Sequence, residues 1–535
     1  MDSNQKIPHV VVIGGGYAGL YACQRLSRAA RKGEIRLTVI TKENFHIWHG
    51  FIGEMLTGRI LPTQILSPVR RIFKDATLHI GIVRRIDLSN KTIQTIREID
   101  GRSMELTYDK LIVTVGSKQN SESFQGLAEH GFALKTWDDC YQLKNHILRM
   151  YELASITSDP TERKAMLTFF VAGGGFSGSE VAGELADFAR QLARKDFPGL
   201  NPEEVEVFLA HPQETILPEL FGTRVDARQS KQFPGLVAYA ERHLKKLGVT
   251  IRTNIRIQAV SRNLVVLSDG TRVPTRTVIS AVGTIPQKMT NESGFPLAPN
   301  GRILVDRTLR VHGYENVWAA GDCAAVEHPK GGYVPTTAWW GMMTGQTAGA
   351  NVIRQLHGKT QKKFSKTGLG QAVSIGRRTA VGELWGVPLR GTFAWIMWRL
   401  VLYFYFPFSD RKIRLLVDWA LWPLMGRDIV EMSTDDTDDF EIRRVKFQPG
   451  EKIVSGGQTG HSIYLIKDGN CSVFEGNGHE HKLIKTLSVG DKIVLNELDG
   501  QASEVVANTL VQAIELRDDQ LSELEQVLEL LRKKG

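Results

Sequence analysis

Residues 10–13, Val-Val-Val-Ile, form an unbroken apolar run, the pattern of a parallel strand covered on both faces rather than the alternation of a half-exposed one. The run ends in Gly14-x-Gly16-x-x-Gly19, and a helix is predicted to begin near Tyr17. In such a turn Gly14 makes the tight bend, Gly16 leaves bare backbone where a pyrophosphate can approach, and Gly19 lets the helix pack against the strand. The anion then rests on free N–H groups at the positive end of the helix dipole. Residues 35–40 predict a second strand. An acidic side chain usually meets the ribose where that strand ends; here the position is Thr41, and Glu43 is the candidate substitute two residues on. Residues 82–96 and 106–108 predict a β-meander, and residues 111–115 a strand that returns to the site at Gly116 and Ser117.

The same pattern opens again at residue 167. LTFFVAGGGFSGSEVAGELADFAR reads as a strand over residues 167–172, a loop Gly173-x-Gly175-x-x-Gly178 and an amphipathic helix over residues 179–190. Two such devices, each following a strand and opening a helix, point to two bound dinucleotides. The strand at residues 205–210 ends at His211, again without the acid that would hold a ribose 2′-hydroxyl and exclude a 2′-phosphate, which leaves NADH and NADPH both open. Residues 278–282 close this unit at Gly283. NVWAAGDCAAV, residues 316–326, predicts a strand and then Gly-Asp at the start of a helix, where Asp322 is suited to accept hydrogen bonds from the ribityl hydroxyls of a flavin.

Residues 390–422 collect Trp395, Trp398, Trp419 and Trp422 with Phe393, Tyr403, Phe404, Tyr405 and Phe406, interrupted by Arg399, Pro407, Arg411 and Lys412. The longest uncharged run falls short of the roughly 20 residues that span a bilayer. The pattern predicts amphipathic helices lying in a membrane interface, with rings at headgroup depth and Arg and Lys stems reaching outward. A buried hairpin or a dimer contact is the other reading. After the acidic stretch STDDTDDF, residues 433–440, the chain changes to short strands punctuated by glycine, and residues 518–534 predict a closing helix with Leu521, Leu524, Leu528 and Leu531 on one face.

Composition sharpens this only in part. At 535 residues, 42% hydrophobic and 23% charged, the chain has room for about three or four domains. A net charge of +9 is small for the length, so no nucleic-acid partner is expected, whereas a basic surface beside anionic lipid fits. Cys23, Cys140, Cys323 and Cys471 lack Cys-x-x-Cys spacing, which suggests a reducing compartment and removes the redox disulfide that a disulfide reductase needs. MDSNQKIP at the start has no apolar core of signal-peptide type, so the catalytic part is expected in the cytosol. No metal site is expected.

IGGGYAGL, KLIVTVGS, VAGGGFSGSEVAGEL, ILPEL at residues 216–220, VWAAGDCA and the aromatic stretch at residues 393–432 together resemble, in order and spacing, the type II NADH dehydrogenases among the two-dinucleotide-binding flavoproteins. The resemblance spans residues 8–432. It implies an α/β fold of two Rossmann-like domains, with an FAD-binding domain in two parts (residues 1–120 and 299–365), an NAD(P)H-binding domain (121–298) and a membrane-associated helical segment (366–432). It also implies that Gly14, Gly16, Gly19 and Asp322 hold FAD and that Gly173, Gly175 and Gly178 hold NAD(P)H, with Glu43 the candidate ribose contact read from the second strand. Glu180 matches the family's glutamate close to the nicotinamide and flavin rings. Hydride from NADH would reach FAD, and two electrons a membrane quinone, without proton pumping, at the cytoplasmic face of the cell membrane. The family carries Ala-Gln-x-Ala-x-Gln along its quinone channel, but here the stretch is Ala338-Trp-Trp-Gly-Met-Met343, so Trp339, Trp340 and Met343 are the candidate quinone contacts. The missing glutamines keep open a reductase for a soluble acceptor, and a homodimer is also open. Residues 445–474 resemble the cyclic-nucleotide-binding jelly roll, with Phe447, Pro449-Gly450-Glu451, Gly457, Tyr464 and Gly469 in its turns, so residues 441–535 are expected to form a small all-β domain of that kind. That module neutralises a cyclic phosphate with an arginine, and residues 491–516 contain none, so the domain is expected to be degenerate, serving contacts rather than sensing. A nucleotide-responsive signalling protein is the third reading.

Overall fold

The computed structural model describes residues 7–97, 99–221, 233–406, 409–421, 426–431, 443–454, 462–475, 482–494 and 503–517. The acidic stretch at 433–440, the closing helix at 518–534, Trp422 and Gly457 lie outside the described residues.

Two parallel sheets carry the two glycine loops. In the first, the strands run in the order Val317–Ala319, Lys110–Val113, His9–Ile13, Arg36–Thr41, Thr77–Ile80. Every residue of His9–Ile13 is buried, as a strand flanked on both sides and covered on both faces requires. Helix α1 (Tyr17–Arg31) follows its glycine loop directly. The second sheet repeats the arrangement in the order Gly131–Phe132, Thr277–Ser280, Thr168–Ala172, Glu206–Ala210, Val249–Arg252, and α2 (Phe176–Lys195) opens from its loop. The expected meander is present as the antiparallel strands Ile82–Asp87, Thr92–Ile96 and Ser103–Thr107.

Helix α3 (Ala338–Leu356) lies against α1 with almost no side chain between them. A Cβ at Gly345 would stand 2.1 Å from the Ala18 carbonyl oxygen, and one at Gly349 2.5 Å from that of Ala22. Gly341, Gly345 and Gly349 are spaced four apart, so they line one stripe of α3 and let the backbones touch.

Two expectations need correction. The Gly-Asp pair does not open an α-helix: Gly321–Cys323 is a single 3₁₀ turn followed by the short strand Ala324–Ala325, and α3 begins only at Ala338. Residues 366–432 are not helical throughout either. Gly370–Ser374, Ala380–Leu384 and Val387–Arg390 form an antiparallel sheet packed on α2, where a Cβ at Gly183 would stand 2.3 Å from the Ile375 carbonyl oxygen. Only then come α4 (Gly391–Tyr405) and α5 (Ser409–Leu421). The basic residues of this hairpin do not all reach outward. Arg399 is buried between Trp395 and Trp419, Arg390 covers Tyr239 of the second unit, and Lys412 donates to the Phe404 carbonyl at 2.9 Å. Each satisfies a ring face or an end-of-helix carbonyl that apolar neighbours could not. No described helix is long and apolar enough to cross a membrane.

The C-terminal strands make two four-stranded antiparallel sheets. Numbered first to eighth along the chain from Arg443–Phe447 to Val511–Arg517, they run 1-8-3-6 in one sheet and 2-7-4-5 in the other. Their facing sides enclose a separate core that includes Phe447, Ile466, Val473 and Val505. Polar contacts hold this unit on the second nucleotide unit. Buried Glu451 accepts from Ser261 Oγ at 2.6 Å and from the Asn263 amide at 3.1 Å, and Arg262 pairs with Glu515 while covering the Tyr464 ring.

Gly345→Ala tests the α1–α3 contact, because its two effects oppose each other. Alanine gains about 1 kcal/mol of helix propensity, while forcing the backbones apart costs about 1–3 kcal/mol. A lower Tm in thermal unfolding is the expected net outcome.

Candidate active site

In the first loop Gly14 has φ +108°, and a Cβ there would stand 2.2 Å from the Thr114 carbonyl oxygen. A Cβ at Gly19 would stand 1.8 Å from the Gly14 carbonyl oxygen, so the helix sits as close as the backbone permits. Nothing lies within 4 Å of a Cβ at Gly16, no side chain caps α1, and its first turn has no acid. The result is an open seat beside unclaimed N–H groups, which fits the pyrophosphate of FAD. Glu43 is half-buried at the rim beyond Thr41, with Lys42 at 3.6 Å. Asp322 accepts from Ser117 Oγ at 2.8 Å, and Lys135 Nζ lies 3.5 Å from its carboxylate.

Beside this seat stands a wall that the motif reading did not single out. The Tyr17 hydroxyl accepts from the His49 amide at 2.8 Å, and its ring packs edge-on to His46 at 4.9 Å and tilted to Trp48 at 5.3 Å. His46 Nδ1 pairs with the Gly15 carbonyl at 3.1 Å, and burial pulls its pKa down to about 4, so the ring is neutral. The buried nitrogens His46 Nε2, His49 Nδ1 and Trp48 Nε1 have no hydrogen-bond partner among the described residues. Such polar atoms lining an open seat suit a polar cofactor. The visible signal was FHIWHG, a cluster of rings and imidazoles directly after the second strand.

The second loop has the same backbone but a different occupant. Gly173 has φ +109°, and a Cβ there would stand 2.3 Å from the Ala281 carbonyl oxygen; one at Gly178 would stand 1.7 Å from that of Gly173. At Gly175, however, a Cβ would stand 3.0 Å from Glu219 Oε1, from the ILPEL stretch. A carboxylate thus stands close to the backbone of this loop, where the first loop has open space.

Glu180 lies where the units meet. A Cβ at Gly53, in the short helix Ile52–Leu56 of the first unit, would stand 3.3 Å from its Oε1. Around it is a buried charge cluster. Arg59 pairs with Glu184 at 3.0 Å and Asp187 at 2.7 Å, Arg427 with Asp187 at 2.7 Å, and Arg399 of α4 with Glu54. Glu180 takes no part in these pairs. Burial, and then the repulsion of Glu184 and Glu54, push its pKa well above the usual carboxylate range.

The candidate quinone contacts divide. Trp339 and Trp340 pack edge-on at 4.8 Å, and Trp340 is further engaged by His328 at 5.2 Å and Phe364 at 6.2 Å. Trp339, with a buried and unpartnered indole N–H, and Met343 are half-buried against the first core. The four cysteines are buried and free.

A family model described as pyridine nucleotide-disulphide oxidoreductase matches residues 8–350, a stretch that contains both loops and Asp322. The chain belongs to this family. FAD and NAD(P)H are the cofactors the family implies, and the two seats fit them one each. Its own cysteines supply no disulfide for the reaction in the family's name. The type II NADH:quinone oxidoreductase Ndh of Mycobacterium tuberculosis is 28% identical over 432 residues, covering 78% of this chain and 88% of that protein. The type II NADH:quinone oxidoreductase of Staphylococcus aureus is 27% identical over 402 residues, covering 73% and 93%. Among solved structures, NDH2 from Plasmodium falciparum in complex with NADH superposes with a TM-score of 0.72 at 17% identity, over 79% of this chain and all of that one. These relatives agree with the resemblance read from the motifs.

Glu180→Gln removes a carboxyl whose pKa folding raises. Because its folded pKa is raised, the wild type loses stability relative to the variant as pH rises from the ordinary carboxylate value of about 4.3 towards the raised one. The variant's Tm should therefore exceed that of the wild type at pH 7–8, and the two should converge near pH 4.

Proposed function

We propose that this chain is a type II NADH:quinone oxidoreductase, a peripheral membrane flavoenzyme that oxidises NAD(P)H and reduces a quinone without pumping protons. The observation that carries the reading is a pair of glycine-loop seats on two parallel sheets, packed together where Glu180 lies against Gly53, with a helical hairpin that presents an apolar face. When bound, FAD supplies the chemistry, taking a hydride equivalent from the nicotinamide and giving up two electrons. The protein supplies placement. Gly14, Gly16, Gly19, Glu43 and Asp322 hold FAD, Gly173, Gly175 and Gly178 hold NAD(P)H, and Glu180 stands beside the reacting rings. Trp339 and Met343 line the approach of the quinone, and Trp340 braces them from behind.

The hairpin supports the membrane side of this reading. Phe393, Ile396, Leu400 and Phe404 of α4 and Ile413, Leu416, Val417 and Leu421 of α5 are exposed, Phe404 at 74%, whereas Arg399, Phe406 and Leu415 face inward. A stripe of large apolar side chains on two short helices matches an element that lies in an interface. We read the C-terminal unit as a jelly roll, because its strand order is that of two interlocked Greek keys, serving as a docking module through Glu451 and Arg262.

Purified protein should show a flavin spectrum that bleaches on anaerobic NADH and returns on adding a quinone analogue. Rapid turnover with ferricyanide and none with any quinone would instead favour a soluble acceptor. Phe393→Glu with Phe404→Glu should abolish co-sedimentation with anionic liposomes and leave ferricyanide turnover unchanged; retained co-sedimentation would overturn the hairpin's role.

A further inference from the structure

We propose that Arg399 of the hairpin is a positioning residue for the reaction, acting on the Glu180 carboxyl by way of Glu54, so that the seating of α4 against the first unit sets the charge beside the reacting rings; the inference rests on the function proposed above. Among the described residues of α4, only Ala394 and Arg399 are buried, while Phe393, Ile396, Leu400 and Phe404 form its exposed side. An apolar side chain would serve packing here at least as well, since replacing a buried ion pair by apolar residues of similar volume is often neutral or stabilising. A guanidinium at this point therefore answers a charge rather than a shape.

That charge is Glu54. The Arg399 guanidinium lies 4.2 Å from the Trp395 ring centroid and 4.3 Å from that of Trp419, and its Nη2 donates to Glu54 Oε2. Glu54 directly follows Gly53, where a Cβ would stand 3.3 Å from Glu180 Cγ and 3.5 Å from Glu184 Cγ. Three carboxyl groups thus share one corner, and two of them have a cation in contact, Arg59 for Glu184 and Arg399 for Glu54. Glu180 has no ion pair among the described residues, so its carboxyl responds to the balance of the others. Asp187 next door is met by Arg59 and Arg427. The Cys140 thiol faces Glu180 from the helix Trp137–Ile156, and burial pushes its pKa up, so it adds no charge at neutral pH.

Glu54 repels the ionised form of Glu180, and the guanidinium of Arg399 offsets that repulsion. Losing Glu54 alone leaves an unmatched cation, which favours ionised Glu180. Losing Arg399 alone leaves an unmatched carboxylate, which disfavours it. Losing both nearly restores the balance.

Thermal unfolding of the FAD-loaded full chain across pH tests this, comparing each background with its Glu180→Gln partner. The Tm gap between the two should widen with pH up to the folded-state titration of Glu180 and then level off. Relative to wild type, the levelling-off point should fall by about one pH unit in Glu54→Gln, rise by about one unit in Arg399→Met, and return to within about half a unit in the double variant. The pH profile of anaerobic flavin reduction by NADH should shift in the same directions. A merely structural role would move both single variants alike. Where Arg399→Met does not fold, Arg399→Lys, which keeps the charge, should level off where wild type does, and a shift of about one unit there overturns the inference. Shifts of one sign in both single variants, no shift in either, or a flavin-reduction profile indifferent to them overturn the inference alone. A chain that takes up no FAD, or whose flavin NADH does not bleach, overturns the proposed function with it.

Discussion

The arrangement depends on a knot of buried charges drawn from four parts of the chain. Glu54 and Arg59 come from the first nucleotide unit, Glu184 and Asp187 from one face of α2, Arg399 from the hairpin and Arg427 from the segment after it. Buried ions are costly unless each finds a partner, and removing one member strands another. That cost makes the knot a device for register. The units satisfy it in one relative position, which sets the first nucleotide unit against α2 of the second. Arg399 shows the principle well, since its guanidinium is held between two indole faces while its charge is met by Glu54.

Much of this was legible in the chain because it is written locally. Apolar runs ending in spaced glycines announced both loops, and the strands, helices and meander lie within a few residues of where the pattern put them. What was not legible depends on distant partners. The aromatic and imidazole wall at residues 45–49 acquires meaning only when Tyr17 packs into it. Arg399 reads in sequence as a charge interrupting an apolar helix, and its burial follows from Glu54, 345 residues earlier. The sheet at residues 370–390 was hidden because its strands are short and open to solvent on one side. The turn at Gly321 was mistaken for a helix start because a Gly-Asp pair suits both.

The two loops also show how far a shared motif carries. Gly14 and Gly173, and Gly19 and Gly178, have nearly identical backbone constraints, since these are dictated by strand, turn and helix alone. Gly16 and Gly175 differ because what stands over them comes from elsewhere: open space in one case and Glu219 in the other.

The sheet at residues 370–390 joins the hairpin to the second unit, and Arg399, Trp48–Phe406 and Phe51–Trp419 join it to the first. The hairpin therefore acts as a staple across the two units, and prising them apart would break ionic and ring contacts together. The separation of the two glycine loops is thereby tied to the seating of the hairpin, so that whatever dislodges the hairpin also loosens the alignment of the two units.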